Sequence, residues 1–313
     1  MYYIGIDLGG TVIKVGLVSQ GKVIGTKRLE ADSIHGLEPR LGLISSAIDS
    51  LLAEANISVN AFKGVFLAFP GIVDARTKRA VSTNAKYDDA PSINLQQWCS
   101  ERWDVPFAID NDARAATVGE WQFGVARGKE NVVMMTIGTG IGTGVILEGK
   151  LLYGQHYRAG SLGGHLIVDY QGRQCTCGNV GCVEAHASSF FLPQIIRENE
   201  KLSPAFRNDS VNYDFKSLFV QVAAGVADAK CVVEGCMDVW SAAIVNYIHA
   251  YDPQTIILGG GIVKSKDLIL PYIRKKVGSL AWCPDEKVEI VASVLGDDAA
   301  LVAAEYYLKD DKR

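Results

Sequence analysis

The sequence lacks a basic cluster: its 313 residues carry a formal net charge of −4 at pH 7. Nucleic-acid-binding proteins concentrate lysine and arginine on one face, so we expect no nucleic-acid partner. It also lacks a long apolar run, because the longest weakly polar stretch, residues 132–147, is broken by glycine and threonine and is too short to span a bilayer. The first residues lack the charged and apolar regions of a signal peptide. These absences predict a cytoplasmic protein without a membrane partner.

Two further features are missing. The P-loop pattern Gly-x-x-x-x-Gly-Lys-Ser/Thr is absent, which argues against a P-loop nucleotide-binding protein. The seven cysteines are an odd number in a long chain, which argues against a disulfide framework and for reduced thiols. What the chain does have is length and 48% hydrophobic residues, enough for a large core and two domains.

A cysteine-rich run is the most specific motif. Cys175, Cys177 and Cys182 fall within eight residues, two glycines lie between the second and the third, and His165 lies ten residues before the first. Zinc prefers four tetrahedral Cys and His ligands, and four protein ligands make a closed structural site. The alternative is that these are free thiols packed as small hydrophobic groups. We predict one structural Zn²⁺ bound by these four residues.

A glycine-rich hairpin occurs twice. In each copy a strand, a Gly-Thr turn, a second strand, a tight turn and a third strand follow one another. Such a turn can direct backbone N–H groups and a hydroxyl at an anion, although a single hairpin needs glycine for its own geometry. We therefore predict that residues 7–11 and 138–142 grip one polyphosphate. The matching pairs are Gly10 with Gly138, Thr11 with Thr139, Gly16 with Gly144, and Gly21 with Gly149.

Between and after the hairpins, helical and strand patterns alternate, which predicts an α/β fold with its ligand at the strand ends. A third glycine run, Gly259-Gly260-Gly261, follows a predicted strand and could open a helix N-terminus toward a nucleotide, or be only a tight turn. The predicted strands are 3–8, 12–19, 22–29, 65–69, 105–109 and 255–258, and the predicted helices are 36–55, 93–103, 113–123, several up to about 250, and 299–308.

Together these segments resemble the ROK family of sugar kinases, in the actin-like, hexokinase-type ATPase superfamily. The resemblance covers essentially the whole chain. It implies two actin-like (ribonuclease H-like) α/β domains around a central cleft. The smaller would span residues 1–113, with a C-terminal helix from about 298 packing back on it, and the larger 114–297. The matching segments are residues 4–14, 70–74, 111–113, 138–142, the cysteine run through Glu184, and 258–261.

The resemblance implies ATP-dependent phosphorylation of a hexose or N-acetylhexosamine, most commonly at O6 as in glucokinases. The partners would be the sugar and ATP, with catalytic Mg²⁺ and structural Zn²⁺, in a homodimer. One alternative is a catalytically silent sugar sensor. Others are a kinase for fructose, mannose, allose or N-acetylmannosamine, and a DNA-binding repressor. The family's repressors carry an N-terminal helix-turn-helix, and because this chain starts at the first phosphate strand we expect the kinase.

The resemblance also implies roles for particular residues. Asp112 would be the catalytic base, although a helix N-cap is a common alternative role for such an aspartate. Asp7 would hold Mg²⁺ through water, and Lys14 would lie near the phosphates. The implied sugar-binding residues are Gly71, Asn84, Asn111, Asp112, His165 and Glu184, and the implied ATP-binding residues are Asp7, Gly9, Gly10, Thr11, Lys14, Gly138, Thr139, Gly140, Gly259, Gly260 and Gly261.

One departure from the family pattern concerns the sugar pocket. The family commonly has Ala-Gly-Glu-Leu-Gly-His, whose glutamate binds sugar hydroxyls, whereas this chain has Ala-Gly-Ser-Leu-Gly-Gly-His over residues 159–165. Either Ser161 or Leu162 takes the place of that glutamate, depending on where the extra glycine is counted. Neither is a carboxylate. We therefore expect an altered pocket and a preference for a sugar other than glucose.

Overall fold

A computed structural model describes residues 1–83, 85–283 and 288–309. These residues form two compact units. The first contains residues 1–128, 151–161 and the chain from 297, and the second contains 129–150 and 162–296. The sequence places the boundary at residue 113. In the structure, residues 114–128 also group with the first unit.

The elements alternate as an α/β pattern predicts. The strands are β1 Tyr2–Leu8, β2 Val12–Ser19, β3 Lys22–Glu30, β4 Phe62–Phe69, β5 Ile72–Asp74, β6 Arg79–Ser82, β7 Phe107–Asn111, β8 Val132–Ile137, β9 Ile141–Leu147, β10 Lys150–Leu151, β11 Thr255–Gly259 and β12 Glu289–Ala292. The helices are α1 Glu38–Glu54, α2 Leu95–Trp103, α3 Asp112–Phe123, α4 Val183–Ala187, α5 Leu192–Glu198, α6 Pro204–Asn208, α7 Phe215–Ala223, α8 Ala227–Tyr251, α9 Lys266–Leu280, α10 Ala299–Val302 and α11 Ala304–Lys309.

The same sheet is built twice. The first has strand order β3-β2-β1-β4-β7 and the second β10-β9-β8-β11-β12. Each combines an antiparallel three-strand hairpin with two parallel strands. This duplication confirms the repeated hairpin and the α/β fold class predicted from the sequence.

The duplication extends to the backbone of the second turn in each hairpin. Gln20 and Gly21 have φ values of 53° and 69°, and Glu148 and Gly149 have 51° and 69°. Two consecutive residues with positive φ are typical of the type I′ turn, whose twist matches that of the flanking strands. Glycine at the second position avoids the steric cost that a side chain would meet there.

The first unit buries its sheet under helices. Ile44, Ile48 and Leu51 form the buried face of α1, at helical spacing. The C-terminal residues from 297 also pack here: Tyr307 of α11 stacks on Phe66 of β4 with ring centroids 4.4 Å apart. The Glu305 carboxylate accepts a hydrogen bond from the Gly21 N–H at 2.5 Å. The end of the chain is therefore built into the unit that contains its beginning.

In the second unit, α8 is the central helix. It packs against α4, α7 and α9, and its fully buried Trp240 donates from Nε1 to the Ala187 carbonyl at 2.9 Å. Among the described residues it is the one helix long and apolar enough to cross a membrane, and 61% of its most apolar window is buried. A core helix passes the same test, so this is weak evidence for a membrane span.

Most predicted elements are present within two residues of their predicted ends. The strand predicted at 105–109 lies at 107–111 and follows Pro106, which has no N–H to donate to the sheet but accepts from the Val65 N–H of β4. The helix predicted at 299–308 is interrupted at Ala303. The short strands β5, β6 and β12 and the helix α9 were not predicted.

Two helical glycines predict opposite effects of the same substitution. A Cβ on Gly119 of α3 would overlap the Ala299 carbonyl of α10, whereas a Cβ on Gly42 of α1 has no atom within 4 Å. Alanine in a helix interior is favoured over glycine by roughly 0.5–1 kcal/mol, and overpacking costs about 1–3 kcal/mol. Gly42→Ala should therefore raise the free energy of unfolding, and Gly119→Ala should lower it. Urea unfolding measures both, and equal effects would contradict the close packing of α10 on α3.

Candidate functional site

The corner between β7 and α3 holds two of the predicted site residues. Asn111 is the N-cap of α3: its Oδ1 accepts from the N–H groups of Ala113 and Arg114 at 3.1 and 3.2 Å. Its Nδ2 donates to the Gly71 carbonyl at 3.1 Å and to Asp112 Oδ1 at 3.0 Å. A side-chain amide has two donors and two acceptor lone pairs, so Asn111 is fully used inside the protein.

Asp112 is therefore the first helical residue rather than the cap. Its Oδ1 accepts from Asn111 and from the Ala113 N–H at 2.8 Å. Among the residues that the structure describes, no protein group donates to Oδ2. Burial and, secondly, the charge of Asp7 raise the pKa of Asp112 to about 6. The corner leaves one carboxylate oxygen with a raised proton affinity, which suits a general base.

Behind this corner lies a buried network that the sequence reasoning missed. The Asp110 carboxylate is fully buried and accepts from Tyr153 Oη at 2.7 Å, Tyr307 Oη at 2.8 Å and Arg114 Nη1 at 3.3 Å. A buried charge requires such partners. Nothing local in the sequence pairs Asp110 with two distant tyrosines, although Arg114, the third partner, lies only four residues later.

Arg114 extends this network to the segment 151–161. Its Nη2 donates to the carbonyls of Tyr157 at 3.0 Å and Ala159 at 2.7 Å. The residue is buried, and its guanidinium lies 4.9 Å from the centroid of the Tyr153 ring. The backbone just before Ser161 is thus attached to the helix that Asp112 opens. Ser161 is itself buried and donates to the Arg158 carbonyl at 3.3 Å.

The turn between β1 and β2, the first of the two turns predicted to bind phosphate, has two of its carbonyls held by other residues of the first unit. The Gly9 carbonyl accepts from Tyr87 Oη at 2.8 Å, and the Gly10 carbonyl accepts from Ser33 Oγ at 2.9 Å. Within the described part of the chain, the N–H groups of Gly10 and Thr11 have no backbone acceptor. Fixed carbonyls and unpaired N–H groups are the arrangement that binds anions.

Asp7 and Lys14 are register partners at the ends of β1 and β2. Lys14 Nζ lies 3.4 Å from Asp7 Oδ2 and 3.5 Å from Asp297 Oδ1. Burial raises the pKa of Asp7, and Lys14 opposes that rise. The predicted Mg²⁺-holding carboxylate and the predicted phosphate-side lysine are thus an ion pair in this structure.

In the second unit, Glu184 is hydrogen-bonded to the second turn predicted to bind phosphate. Its Oε2 accepts from the Ile141 N–H at 2.8 Å and would clash with a Cβ on Gly140. The carbonyls of Gly138 and Thr139 accept from the N–H groups of Ser189 and Phe190 at 3.1 and 3.0 Å. A side chain at residue 140 would therefore displace the Glu184 carboxylate, a constraint that the sequence pattern did not indicate.

The third glycine run ends β11. Gly259 is its last residue, Gly260 has a φ of 86°, and Gly261 opens a short 3₁₀ turn that leads into α9. The run therefore joins a strand to a helical segment, as the sequence suggested, although α9 itself begins only at Lys266.

The four predicted zinc ligands are brought together. The ligand atoms of His165, Cys175, Cys177 and Cys182 all lie within 4.8 Å of one another. Cys177 Sγ is 3.7 Å from Cys182 Sγ, and Cys175 Sγ is 3.7 Å from His165 Nδ1. Zinc–sulfur bonds of about 2.3 Å in a tetrahedron place sulfurs about 3.8 Å apart. The donor set and its spacing therefore fit zinc, with Nδ1 as the histidine ligand atom.

The remaining predicted residues are distributed as follows. Gly71 lies beside Asn111, and its carbonyl accepts a hydrogen bond from the Asn111 side-chain amide. Asn84 lies outside the described residues. Asp7, Gly9, Gly10, Thr11, Lys14, Gly71, Asn111 and Asp112 belong to the first unit, and Gly138 to Gly140, His165, Glu184 and Gly259 to Gly261 belong to the second.

Comparison with known proteins supports the resemblance inferred from the motifs. The family model of the ROK family matches residues 3–311. A glucokinase of Thermotoga maritima is 32% identical over 98% of this chain and 97% of its own length. A xylose repressor of Bacillus spizizenii is 29% identical over 95% of this chain and 74% of its own.

Among solved structures, a ROK family glucokinase from Streptomyces griseus, crystallised with glucose and AMPPNP, is 26% identical with a TM-score of 0.81. The alignment covers 99% of both chains. Structures of this kind have two actin-like ATPase domains, which agrees with the paired sheets found here. Because the family model matches the chain over nearly its whole length, the chain belongs to the ROK family.

Proposed function

We propose that the protein is a cytoplasmic, ATP-dependent kinase of a hexose or N-acetylhexosamine, with O6 as the first candidate acceptor. One observation carries the proposal: Asn111 caps α3, so Asp112 keeps a carboxylate oxygen for a substrate hydroxyl. The glucokinase relatives support the reaction class. The alternatives are a silent sugar sensor and a repressor, which the xylose repressor relative keeps open.

In the proposed reaction, a sugar hydroxyl oxygen attacks the γ-phosphorus of ATP. The bond from that phosphorus to the β–γ bridging oxygen breaks, ADP leaves, and the hydroxyl proton passes to Asp112 Oδ2. Phosphoryl transfer has a loose transition state, so positioning and charge neutralisation supply most of the acceleration. Asn111 acts by fixing Asp112, because its own amide is fully bonded.

We propose that the turns at residues 9–11 and 138–140 bind ATP phosphates through backbone N–H groups, and that residues 259–261 approach the adenosine. Asp7 would hold Mg²⁺ through water, since magnesium keeps much of its hydration. When bound, the ion neutralises charge on the phosphates. Lys14 forms an ion pair with the Asp7 carboxylate and offsets its negative charge before ATP binds.

The zinc site is proposed as structural. His165, Cys175, Cys177 and Cys182 use all four positions, so no position remains for a substrate. Cys182 is also the residue from which α4 begins, and Glu184 lies in the first turn of that helix. Zinc would fix this loop and so fix the carboxylate that holds the second phosphate turn. Glu184 Oε1 and His165 Nε2 are then the proposed sugar contacts.

A coupled assay for ADP release, run over a panel of sugars, tests the function. The kinase proposal expects sugar-dependent ADP release with at least one hexose or N-acetylhexosamine. ADP release with none of them, from protein that binds a sugar by calorimetry, would favour the sensor. The same preparation run in an analytical ultracentrifuge tests the proposed homodimer.

The first prediction from the proposed function concerns Asp112→Asn, which keeps the shape and removes the proton acceptor. Turnover should fall by about 10²- to 10⁴-fold, the usual contribution of a positioned general base. The matched control is Asp214→Asn, because Asp214 does cap a helix, α7, and Asn caps equally well. Turnover of Asp112→Asn within threefold of the wild type would assign Asp112 a structural role.

The second prediction concerns pH. A base works when ionised, so kcat/KM should fall as pH drops through about 6, the raised pKa of Asp112. The same raised pKa means that ionisation costs folding stability as pH rises from the ordinary aspartate value to about 6. Asp112→Asn should thus be at least as stable as the wild type at pH 8 in thermal melts. An inflection near pH 4, or a destabilised variant, would contradict this account.

The third prediction is one zinc per chain. Elemental analysis of protein purified without added metal should give a stoichiometry near one, and Cys177→Ser should lower both zinc content and sugar affinity. Cys231→Ser, at a thiol outside the cluster, is the control. Active, well-folded protein without zinc would overturn the site.

The fourth prediction concerns the missing family glutamate. A hydrogen bond to a charged group contributes roughly 1.5–3 kcal/mol, or about 10- to 100-fold in rate. Ser161→Glu should therefore raise kcat/KM for glucose relative to mannose, fructose, allose, N-acetylglucosamine and N-acetylmannosamine. Ser161→Gln, of equal size and no charge, separates charge from bulk, and a melting curve checks that each variant folds. A wild type that already prefers glucose, with no gain in the variant, would refute this interpretation of the pocket.

A further inference from the structure

Lys86 is a half-buried cation without a role in the reaction described above. It lies between β6 and α2 in the first unit. Its side chain passes over the first phosphate turn: Nζ is 3.2 Å, and Cε 3.0 Å, from the position that a Cβ on Gly10 would take. A side chain at residue 10 would thus displace Lys86. The glycine leaves space for the lysine as well as for a phosphate.

The backbone around Lys86 is strained. Ala85 and Tyr87 have φ values of 53° and 55°, in the left-handed region that non-glycine residues seldom adopt. Strain of this kind persists only where the surroundings enforce it, and it concentrates at functional sites. Here Tyr87 enforces it: its N–H donates to the Ser33 carbonyl at 2.7 Å, and its Oη donates to the Gly9 carbonyl at 2.8 Å. The turn at residues 9–11 and the turn at residues 85–87 are therefore held to each other.

The charges around Lys86 distinguish it from Lys14. Lys14 is paired with Asp7 and Asp297. Within the described ranges, no carboxylate lies within 4.0 Å of Lys86 Nζ, so its charge is not neutralised by an ion pair. Lys86 is nevertheless close enough to Asp112 to lower the pKa of that carboxylate.

We propose that Lys86 is a further catalytic residue, which binds the γ-phosphoryl group of ATP over the Gly10 turn and neutralises its charge during transfer to the sugar. This rests on the proposed kinase function. The position follows from two observations: Nζ lies against Gly10 of the turn proposed to bind phosphate, and its charge acts on Asp112, the proposed base. The transferred group must lie between a phosphate-binding turn and the base that deprotonates its acceptor.

The first test is nucleotide binding, which needs no sugar and no turnover. Calorimetry should show that Lys86→Met weakens binding of Mg²⁺–AMPPNP by about 10- to 100-fold, the effect of one charged hydrogen bond, and leaves Mg²⁺–ADP binding unchanged. Lys86→Arg should keep most of the AMPPNP affinity. The control is Lys63→Met, at an exposed lysine on β4 far from the turn in sequence. Equal loss for both nucleotides, or none, would overturn the proposal, whether or not a sugar substrate is found.

The second test uses the best sugar of the panel. Lys86→Met should lower kcat by at least tenfold with the KM for sugar nearly unchanged. It should also move the acid limb of the kcat/KM profile to higher pH. The variant loses the positive charge of Lys86, which lowers the pKa of Asp112, and keeps the negative charge of Asp7, which raises it. Lys14 and Asp297, the other charged groups around Asp7, are unchanged in the variant. A raised sugar KM with normal kcat and an unmoved profile would make Lys86 a sugar contact instead and refute its phosphoryl role. No activity in the wild type would refute the kinase function, while the nucleotide test would still decide on Lys86.

Discussion

The buried carboxylate of Asp110 is the interaction on which the candidate active site depends. It is fully buried, and it joins four parts of the chain: its own strand β7, Arg114 of α3, Tyr153 of the segment 151–161, and Tyr307 of α11. Breaking a buried charge network by removing one partner usually costs about 3–5 kcal/mol. Such a network fixes the strand end from behind, and the proposed base lies two residues further along the chain.

Fixing the corner has a chemical consequence. With β7 held by Asp110, Asn111 uses its whole amide on the helix N-terminus, on Gly71 and on Asp112. The adjacent carboxylate is therefore not needed as a cap and is held in one orientation. Burial and Asp7 then raise its pKa to about 6, so that it can both accept a proton and stay ionised near neutral pH. Asp110 and Asn111 set the geometry of the corner, whereas burial and Asp7 set the raised pKa of Asp112. The geometry and the pKa can therefore be tested separately.

The sequence predicted those features that local patterns encode. The repeated Gly-Thr hairpins and the Cys/His run depend on residue types at short spacing, and both the duplicated sheets and the ligand cluster are present. What could not be predicted depends on partners far apart in the chain. Tyr307 is 197 residues from Asp110, and Tyr87 is 78 residues from Gly9. The N-cap was ambiguous for a different reason: Asn111 and Asp112 are both good capping residues, and only the backbone geometry decides between them.

The most direct test of the account is a crystal structure with AMPPNP and the sugar that gives the fastest turnover. We expect Asp112 Oδ2 within about 2.6–3.2 Å of a single sugar hydroxyl, the reach of a general base. Asn111 should still cap α3 and Asp110 should still hold both tyrosines. A structure in which the acceptor hydroxyl contacts another residue, with Asp112 bonded only to the helix N-terminus, would contradict the central claim.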